Sequence, residues 1–352
     1  MRDVAIVSVA QSVHQRALRE KNEVEMIQPV IHEALDGIGA TISDIGFTVS
    51  GSSDYLQGQA FSFVMVLDAV GAWPPIAESH VEMDGAWALY EAWLKIQAGH
   101  CDTALIYGYS KASPGDLPRT LSRQLDPYYY GPLWPDSVAL AGLQARAMID
   151  SGRITEADMA EIAHRNRTSA EANPNAQIRG SAPVEDLLAA EYLSDPLRVH
   201  DCPPISDGGV AVVIAAGDRA REWADRPAWI RGIDHRIDSH NLGARDLTVS
   251  PSLRIAGERA GVGNGKVDIA ELHTPFTHQE RIATEALGLG DEVTINPSGG
   301  PLAANPMMAA GLIRLGEVAN RIMDGSADRG VATATSGHCL QQNLVAVLEG
   351  DQ

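Results

Sequence analysis

Residues 202–213 read Cys202-Pro-Pro-Ile-Ser-Asp-Gly-Gly-Val-Ala-Val-Val213, and the strongly apolar run continues to Ala216. An apolar run without polar alternation is typical of a strand that is buried on both faces. In the first hundred residues, similar short runs at 4–10, 47–50 and 103–109 alternate with helix-length segments. Strands separated by helices predict a parallel sheet built from βαβ units, so we expect a protein of the α/β class.

The last third of the chain repeats the order of elements found in the first third. Extended and helical patterns alternate at residues 229–237, 251–260, 267–272, 277–287, 293–296, 306–323, 331–335 and 344–348. We therefore predict two similar halves, residues 1–218 and 219–352. The pattern is interrupted at about residues 111–205, which contain several prolines and a Tyr128-Tyr129-Tyr130 run. This interruption predicts an inserted loop or cap region in the first half.

The charge balance limits the classes of partner. The 352 residues contain 27 Lys+Arg against 46 Asp+Glu, a formal net charge of −19. Nucleic acids and anionic membranes bind clustered Lys and Arg, so we expect neither as a partner. The three cysteines are too widely spaced for a disulfide framework or a metal-ligand pair, which predicts a cytoplasmic protein without a metal or other cofactor. The apolar run at 4–10 is too short for a signal peptide or a membrane span.

Two adjacent glycines stand near the start of the segment Asn296-Pro-Ser-Gly-Gly-Pro-Leu-Ala-Ala-Asn305-Pro-Met-Met-Ala-Ala-Gly311. Gly299 and Gly300 permit a tight turn and a close approach of the backbone to a ligand. Asn305 followed by Pro306 is a favourable N-cap and first residue for a helix over 306–323. The simpler interpretation is a capped helix after a turn, and the functional one is a helix N-terminus that stabilises a developing oxyanion.

Histidines follow two of the predicted strands. His273 comes at the end of the strand in Val267-Asp-Ile-Ala-Glu-Leu-His-Thr-Pro-Phe-Thr-His-Gln-Glu280, a place where open α/β sheets bind ligands. His278, one turn into the next helix, is expected on the surface or in packing. In Thr335-Ser-Gly-His-Cys-Leu-Gln-Gln-Asn343, adjacent strand side chains would point to opposite faces, so His338 and Cys339 are not an obvious nucleophile–base pair.

These blocks and their order resemble the thiolase superfamily, especially the sterol carrier protein X-type thiolases and their bacterial lipid-transfer relatives. The resemblance rests on the 202–213 block, the His273 block, the Asn296-Pro-Ser-Gly-Gly block and the His338-Cys339 segment, which together span nearly the whole chain. It implies a five-layer αβαβα fold of two duplicated five-stranded halves with an inserted loop domain. It also implies a CoA thioester as the substrate.

Two of the residues that a thiolase needs are replaced. In thiolases a cysteine at the N-terminus of a buried helix is acylated by the substrate, and the matching position within residues 81–90 is Gly85. Asn305 stands where the family has its activating histidine. Without nucleophile and activator no acyl-enzyme can form, so the resemblance implies a protein without thiolase activity. His273 matches an oxyanion-hole residue of this branch, and Cys339 matches the family's second, acid–base cysteine.

A thiolase-like site without its nucleophile is similar to that of the steroid side-chain aldolases among the bacterial relatives. Such enzymes cleave a β-hydroxyacyl-CoA by retro-aldol chemistry, which needs a base and donors around the thioester oxygen but no covalent intermediate. We therefore expect a carbon–carbon lyase that acts on a steroid side-chain CoA thioester. The alternative is a catalytically silent subunit that scaffolds a partner enzyme, and a simple lipid carrier is the third interpretation.

The resemblance and the residue chemistry together give the candidate site. We expect His273 to polarise the thioester carbonyl, His338 or Cys339 to exchange the proton, and Asp84 to be the second-choice base. The residues expected next to the substrate are Tyr55, Gly85, Gly299, Gly300 and Asn305. The related aldolases use tyrosines as acid and base, and no tyrosine stands in the His273, Asn305 or His338 blocks. Tyr55 or the 128–130 run would therefore have to supply a phenol. The simpler interpretation of the 128–130 run is a dimer or cap contact.

The resemblance also implies protein partners. A homodimer would form through the edge strand near residues 79–83, with Val81 and Met83 in the contact, because pairing of two edges removes an exposed one. A separately encoded protein with an OB fold and a zinc ribbon is expected as a second partner. The cations of the inserted region that are available for the CoA phosphates are Arg165, Arg167 and Arg179.

Overall fold

The computed structural model describes residues 2–351. The first half contains β1 (Val4–Gln11), α1 (Glu23–Asp36), β2 (Phe47–Gly51), α2 (Asp54–Gln57), α3 (Ser62–Val70), β3 (Glu78–Val81), α4 (Gly85–Gln97) and β4 (Thr103–Ser110). The inserted region contains α5 (Leu117–Ser122), α6 (Ser137–Asp150), α7 (Glu156–Ser169), α8 (Val184–Ala189), β5 (Tyr192–Ser194) and β6 (Leu197–Arg198). The chain then returns to the sheet as β7 (Gly208–Ala216).

The second half follows a short connecting helix, α9 (Gly217–Trp223). Its elements are β8 (Ala228–Ile237), α10 (Pro251–Ala260), β9 (Ile269–Glu271), α11 (Thr277–Leu287), β10 (Thr294–Ile295), α12 (Gly300–Ala303), α13 (Ala310–Met323), β11 (Arg329–Ser336) and β12 (Gln342–Glu349). The predicted boundary between residues 218 and 219 falls within α9 and stays a prediction. No helix in residues 2–351 is long and apolar enough to cross a membrane.

Both halves build their sheets with the same strand order. Neighbouring strands are β3-β2-β4-β7-β1 in the first half and β10-β9-β11-β12-β8 in the second. Counted along the chain, the second strand of each half pairs in parallel with the third and the fourth, whereas the fifth is antiparallel to both of its neighbours. Both sheets are therefore mixed, and the prediction of a parallel sheet is wrong for β7 and β12, because each returns from a long connection or a hairpin and not from a βαβ crossover. The duplication predicted from element order is therefore confirmed. A short antiparallel contact, in which Ala5 faces Trp229 and Ile6 faces Ala228, joins the two sheets.

Helices and sheets alternate in five layers, as the resemblance implied. The two helices α4 and α13 lie between the sheets, because their apolar faces share one buried cluster with strands of both halves. Helices α1 and α3 cover the outer face of the first sheet, and α10 and α11 cover the outer face of the second. Burying each helix face against a sheet in this way is what gives such a duplicated α/β chain a continuous core.

The start of α13 differs from the sequence prediction. The helix begins at Ala310 and not at Pro306, so the prediction that Asn305 is its N-cap is wrong. The carboxylate of Asp84 instead accepts the backbone N–H groups of Gly311 at 2.8 Å and Leu312 at 3.0 Å. The same carboxylate accepts the N–H of Ala86 at 2.9 Å, at the start of α4. One side chain thus caps both central helices, a tertiary contact that a local capping pattern cannot reveal.

Candidate functional site

A cavity of about 320 Å³ lies beyond the carboxyl ends of β4, β9 and β11, where open α/β sheets bind ligands. The inserted region supplies much of the opposite wall through α5 and α6. Six of the nine candidate residues line this cavity: Tyr55, Asp84, His273, Asn305, His338 and Cys339. Sequence positions nearly 300 residues apart therefore meet in one place, as expected if they form a single site.

His273 is buried and held as one tautomer. Its Nδ1 atom accepts the backbone N–H of Thr335 at 3.2 Å, so the ring hydrogen is on Nε2, which donates to Asn305 Oδ1 at 3.1 Å. The backbone N–H of His273 donates to Thr333 Oγ1 at 2.9 Å and fixes the main chain. Burial first, and the Arg314 charge second, lower the pKa of His273 to about 4. At neutral pH the ring is therefore an uncharged N–H donor.

Asn305 can provide a second donor beside that ring. Its Oδ1 atom is occupied by His273, and its backbone N–H donates to Ser206 Oγ at 3.0 Å. These two contacts direct the amide, and the Nδ2 group has no hydrogen-bond partner among residues 2–351. Because both residues line the cavity, a carbonyl oxygen entering here meets the unpaired Nδ2 group of Asn305, while the single ring N–H of His273 is donated to Asn305 Oδ1.

His338 and Cys339 lie in the turn between β11 and β12 and not in a strand. The strand argument about opposite faces therefore does not apply, and both residues line the cavity. Within the described chain, Nε2 of His338 is buried without a hydrogen-bond partner. Burial lowers the pKa of His338 and outweighs a hydrogen bond with the Leu121 backbone, so the ring is neutral near pH 7. A neutral imidazole with a free nitrogen is suited to accept a proton.

Cys339 is less suited to that task. Its Sγ–H group donates to the carbonyl oxygen of Leu140 at 3.5 Å. Burial raises the pKa of Cys339 to about 11, with the nearby Arg245 acting weakly against this shift. The residue is therefore a protonated thiol near pH 7, whereas thiolate is the reactive form of cysteine. Between the two residues that the sequence left open, the geometry favours His338.

Asp84 lines the cavity but its carboxylate is already engaged. Three backbone N–H groups at the starts of α4 and α13 bind its two oxygens. Burial raises the pKa of Asp84, while these hydrogen bonds act in the opposite direction. A carboxylate that joins two helix N-termini is in a structural position, and proton transfer to it would break the caps.

The three candidate glycines do not line the cavity. A Cβ atom on Gly299 would lie 2.5 Å from the Cβ of Ala170 and 2.7 Å from that of Ala303, so the close approach is to the inserted region. Gly300 is turned towards Asn296 in the same way.

Tyr128 and Tyr129 are strongly exposed and also lie outside the cavity, whereas Tyr55 lies at its margin and hydrogen-bonds with Gln124.

The walls of the cavity are mostly apolar. Its lining includes Leu117, Leu121, Val138, Ala141, Ile205, Phe276 and Met307. Such a lining with a few convergent polar groups is typical of a site for a bulky apolar ligand. Sequence reasoning missed Ser206 and Thr335 as groups that direct Asn305 and His273, although both stand inside the quoted segments.

Two of the three arginines expected to bind CoA phosphates already have partners. Arg165 pairs with Glu280, and Arg179 donates to the backbone carbonyls of Pro174 and Ala176. The guanidinium group of Arg167 makes no hydrogen bond or ion pair with the described residues, and burial lowers its pKa. The phosphate role stays a prediction, and Arg167 is the cation that the structure leaves available for it.

Three possible metal ligands approach one another outside the cavity. Ligand atoms of Asp54, His80 and Glu82 lie within 4.8 Å of one another. The carboxylate oxygens of Asp54 accept the N–H groups of Phe61 and Ser62, and Glu82 accepts from Ser53 and the backbone of Asp54. These oxygens are thus satisfied by protein donors, and the expected absence of a metal cofactor stays a prediction.

The fold of this chain is shared with solved structures, although no protein-family model matches its sequence. The structure of the Ltp2-ChsH2(DUF35) aldolase superimposes with a TM-score of 0.80 at 21% identity and covers 99% of this chain and 98% of that one. The structure of human mitochondrial 3-ketoacyl-CoA thiolase gives a TM-score of 0.80 at 14% identity, with 100% and 99% covered. The chain has the thiolase fold.

Sequence relatives agree with that assignment. An acetyl-CoA acetyltransferase of Methanothermobacter thermautotrophicus is 27% identical over 370 residues, which cover 96% of this chain and 95% of that protein. Sterol carrier protein 2 of Gallus gallus is 25% identical over 301 residues, which cover 74% of this chain and 54% of that protein. The resemblance to the thiolase superfamily and its lipid-transfer branch is therefore confirmed.

In this thiolase fold the nucleophile position is closed. The N–H of Gly85 donates to the carbonyl oxygen of Met308 at 2.8 Å. A Cβ atom on Gly85 would lie 2.8 Å from Cδ2 and 3.1 Å from Cβ of Leu312. The chain thus has no side-chain nucleophile at Gly85, and a side chain there would press against Leu312.

Proposed function

We propose that the protein is a carbon–carbon lyase that cleaves a β-hydroxyacyl-CoA by retro-aldol chemistry. The observation that carries this proposal is the free Asn305 Nδ2 donor, held in the cavity beside the neutral His273 ring, together with the lack of a side chain at Gly85, the residue matched to the thiolase nucleophile. Donors of this kind stabilise an enolate oxygen, whereas acyl transfer to the enzyme would need a side chain that is absent from position 85.

The proposed reaction is balanced within the substrate and one base. His338 takes the proton of the β-hydroxyl group, the Cα–Cβ bond breaks, and Cβ becomes a ketone carbon. The electron pair of the broken bond moves to Cα and the thioester carbonyl, whose oxygen becomes an enolate oxygen. Asn305 Nδ2 donates to this oxygen, and the Nε2–H group of His273 shifts to it from Asn305 Oδ1. Protonated His338 then returns the proton to Cα, which gives the shortened acyl-CoA. No covalent intermediate with the protein is formed.

The proposed substrate has a bulky apolar acyl group, such as a steroid with a hydroxylated CoA side chain. The apolar walls formed by α5, α6 and the loops after β9 and α12 support this proposal. The likeness to the Ltp2-ChsH2(DUF35) aldolase supports the lyase chemistry. The three thiols, all free in residues 2–351, are compatible with the reducing cytoplasm that the sequence predicts.

We also propose two protein partners. Strand β3 is the end strand of its sheet, and its outer edge is unpaired within the described chain. Next to it, the ring of Phe63 stacks on His80, and Phe61, Val64 and Met65 expose apolar surface. These features support a homodimer through β3 and α3. The aldolase structure is a complex of Ltp2 with ChsH2(DUF35), which supports a separate partner protein for this chain too.

The second candidate is a silent scaffolding subunit, which is favoured by the donation of the only ring hydrogen of His273 to Asn305 Oδ1. Burial shifts the pKa values of Tyr55, Cys202 and Cys339 upward and those of His273 and His338 downward, so these cavity groups are all uncharged near pH 7. In a silent subunit, this uncharged cavity would be a former active site that no longer exchanges protons with a substrate. The two candidates differ in whether His338 exchanges a proton.

Incubation with a defined substrate tests the proposal. The purified chain, with and without a DUF35-type partner, is mixed with a 17-hydroxy steroid side-chain CoA thioester, and the ketone and the shortened acyl-CoA are measured by mass spectrometry. We expect both products in equal amounts, and none from the analogue that lacks the 17-hydroxyl group. If the wild-type chain and partner together produce neither, the scaffolding function is favoured and the lyase proposal fails.

A further inference from the structure

A buried series of hydrogen bonds connects the inserted region to the backbone just before His273. On α7, Asn166 Nδ2 donates to Glu280 Oε2 at 2.9 Å, and Arg165 pairs with the other oxygen. Asn296 Nδ2 also donates to Glu280 Oε2, at 3.0 Å. The carboxylate of Glu280, on α11, is therefore shared between the inserted region and the loop that follows β10.

Asn296 connects Glu280 to the backbone next to His273. Its Oδ1 atom accepts the backbone N–H of Leu272 at 2.7 Å, and its own N–H donates to the carbonyl oxygen of Ala270 at 2.8 Å. Asn296 has a φ of 49°, a left-handed conformation that asparagine tolerates better than most residues. The side-chain amide of Asn296 thus binds Leu272, the residue before His273, from one side. Thr333 and Thr335 of β11 bind His273 from the other side.

These groups have no access to water that would compensate for a lost bond. Asn166, Glu280 and Asn296 are at most 3% exposed. Hydrogen bonds to a buried carboxylate are strong, and removal of the acceptor leaves buried donors unsatisfied at a cost of about 1–3 kcal/mol each. Removal of the Glu280 carboxylate would therefore leave Asn296 Nδ2 without its acceptor and weaken the hold of the Asn296 amide on the Leu272 backbone.

We propose that Glu280 is a positioning residue for His273: through Asn296 it makes the direction of the His273 ring depend on the docking of α7. The inserted region then does more than cover the cavity, because it helps to assemble the donor pair. The catalytic consequence rests on the proposed function, since a misplacement of about 1 Å in a donor can cost about 10²-fold in rate. The structural dependence of His273 on Glu280 does not rest on it.

The chain offers a matched control for this inference. Arg153 pairs with Glu285 at 2.5 Å and also connects the inserted region to α11. Glu285 is on the same helix as Glu280, and its carboxylate forms no described bond to Asn296 or to the residues before His273. Replacement of Glu285 therefore weakens the docking of the inserted region and leaves the route to His273 intact.

Amide hydrogen exchange measured by mass spectrometry tests the inference without a substrate. In Glu280→Ala we expect the amides of residues 270–276 to exchange about tenfold faster or more, because the opening of this segment becomes easier. Glu280→Gln keeps one acceptor and should give a smaller increase, and Glu285→Gln should give none in this segment. With substrate, the Glu280 variants should lower kcat with little change in KM.

The possible results separate the two proposals. Wild-type exchange rates at 270–276 in both Glu280 variants, or an equal acceleration in Glu285→Gln, would overturn the positioning role. If Glu280→Ala does not fold, Glu280→Gln alone decides. Should the exchange rates change as expected while the wild-type chain and partner cleave no CoA thioester, the lyase function fails and the positioning role stands.

Discussion

Nε2 of His273 lies 3.1 Å from Oδ1 of Asn305, and the bond between them orders both donors of the site. The N–H of Thr335 fixes the imidazole hydrogen on Nε2, and donation of this hydrogen to Oδ1 turns the Asn305 amide so that Nδ2 remains available. Because burial lowers the pKa of His273 to about 4, this pair is uncharged in the ground state. Its contribution should therefore grow as negative charge develops on a bound thioester oxygen.

The first prediction concerns this pair. His273→Ala should lower kcat by about 10²-fold or more with little change in KM, because the lost donor acts mainly in the transition state. The measurement is steady-state cleavage of the CoA thioester. His32→Ala is the control, since His32 is an exposed residue of α1, far along the chain from the site. An unchanged kcat in His273→Ala would place the reaction centre elsewhere.

The second prediction identifies the base. His338→Ala should abolish most of the cleavage, and Cys339→Ala should have a small effect. A base must be deprotonated, and burial lowers the pKa of His338, so kcat/KM should be level near pH 7 and fall only on the acid side, below about 6.5. If Cys339 were the base, with its pKa of about 11, kcat/KM would instead rise steadily towards high pH.

The third prediction is that neither the wild-type chain nor Gly85→Cys has thiolase activity. A cysteine side chain at position 85 would press against Leu312, and the activating histidine is replaced by Asn305. The assays are acetoacetyl-CoA cleavage and mass spectrometry of the protein after incubation with acyl-CoA. A covalent acyl adduct on the wild-type chain would contradict this prediction.

The fourth prediction uses His278, which the sequence placed on the surface or in packing. The residue is fully buried, its Nε2 lies 3.1 Å from Gln144 Oε1, and burial lowers its pKa to about 3. As the pH falls below 6.5, His278 is protonated in the unfolded chain but stays neutral in the folded chain. The free energy of unfolding therefore falls by about 1.4 kcal/mol per pH unit for this group. His278→Gln should therefore lose stability less steeply between pH 6.5 and 4 in urea unfolding.

Its control is again an exposed histidine on α1. His32→Gln should keep the wild-type pH dependence of the free energy of unfolding. Equal slopes for His278→Gln and the wild-type chain would mean that folded His278 takes up a proton as easily as the unfolded chain does.

The fifth prediction concerns assembly. Sedimentation at micromolar concentration should give twice the chain mass of 37.5 kDa. Met65→Glu places like charges on both copies of the exposed α3 face and should shift the chain towards monomer. Leu143→Glu is the control, because Leu143 is 62% exposed but belongs to the inserted region. A strictly monomeric wild-type chain would contradict the proposed dimer.

Local patterns were sufficient for most of the fold. Helices α10 and α11 have the bounds that their periodicity predicts, and His273 follows its strand as expected. Such elements can be predicted because the spacing of apolar residues along a short segment indicates which positions are buried. The duplication was likewise visible as a repeated order of elements. The loss of the thiolase nucleophile at Gly85 was also evident, since it depends on a residue type and not on a contact.

Contacts between distant residues were decided only by the tertiary structure. Asp84 caps α13 at Gly311, 227 positions further along the chain, and the helix starts at Ala310, five residues beyond Asn305. Asn305 pairs instead with His273, 32 positions earlier, and Glu280 lies between Asn166 and Asn296. No periodicity encodes such pairs, because packing of the two halves and the inserted region sets which polar groups are buried together and must satisfy one another.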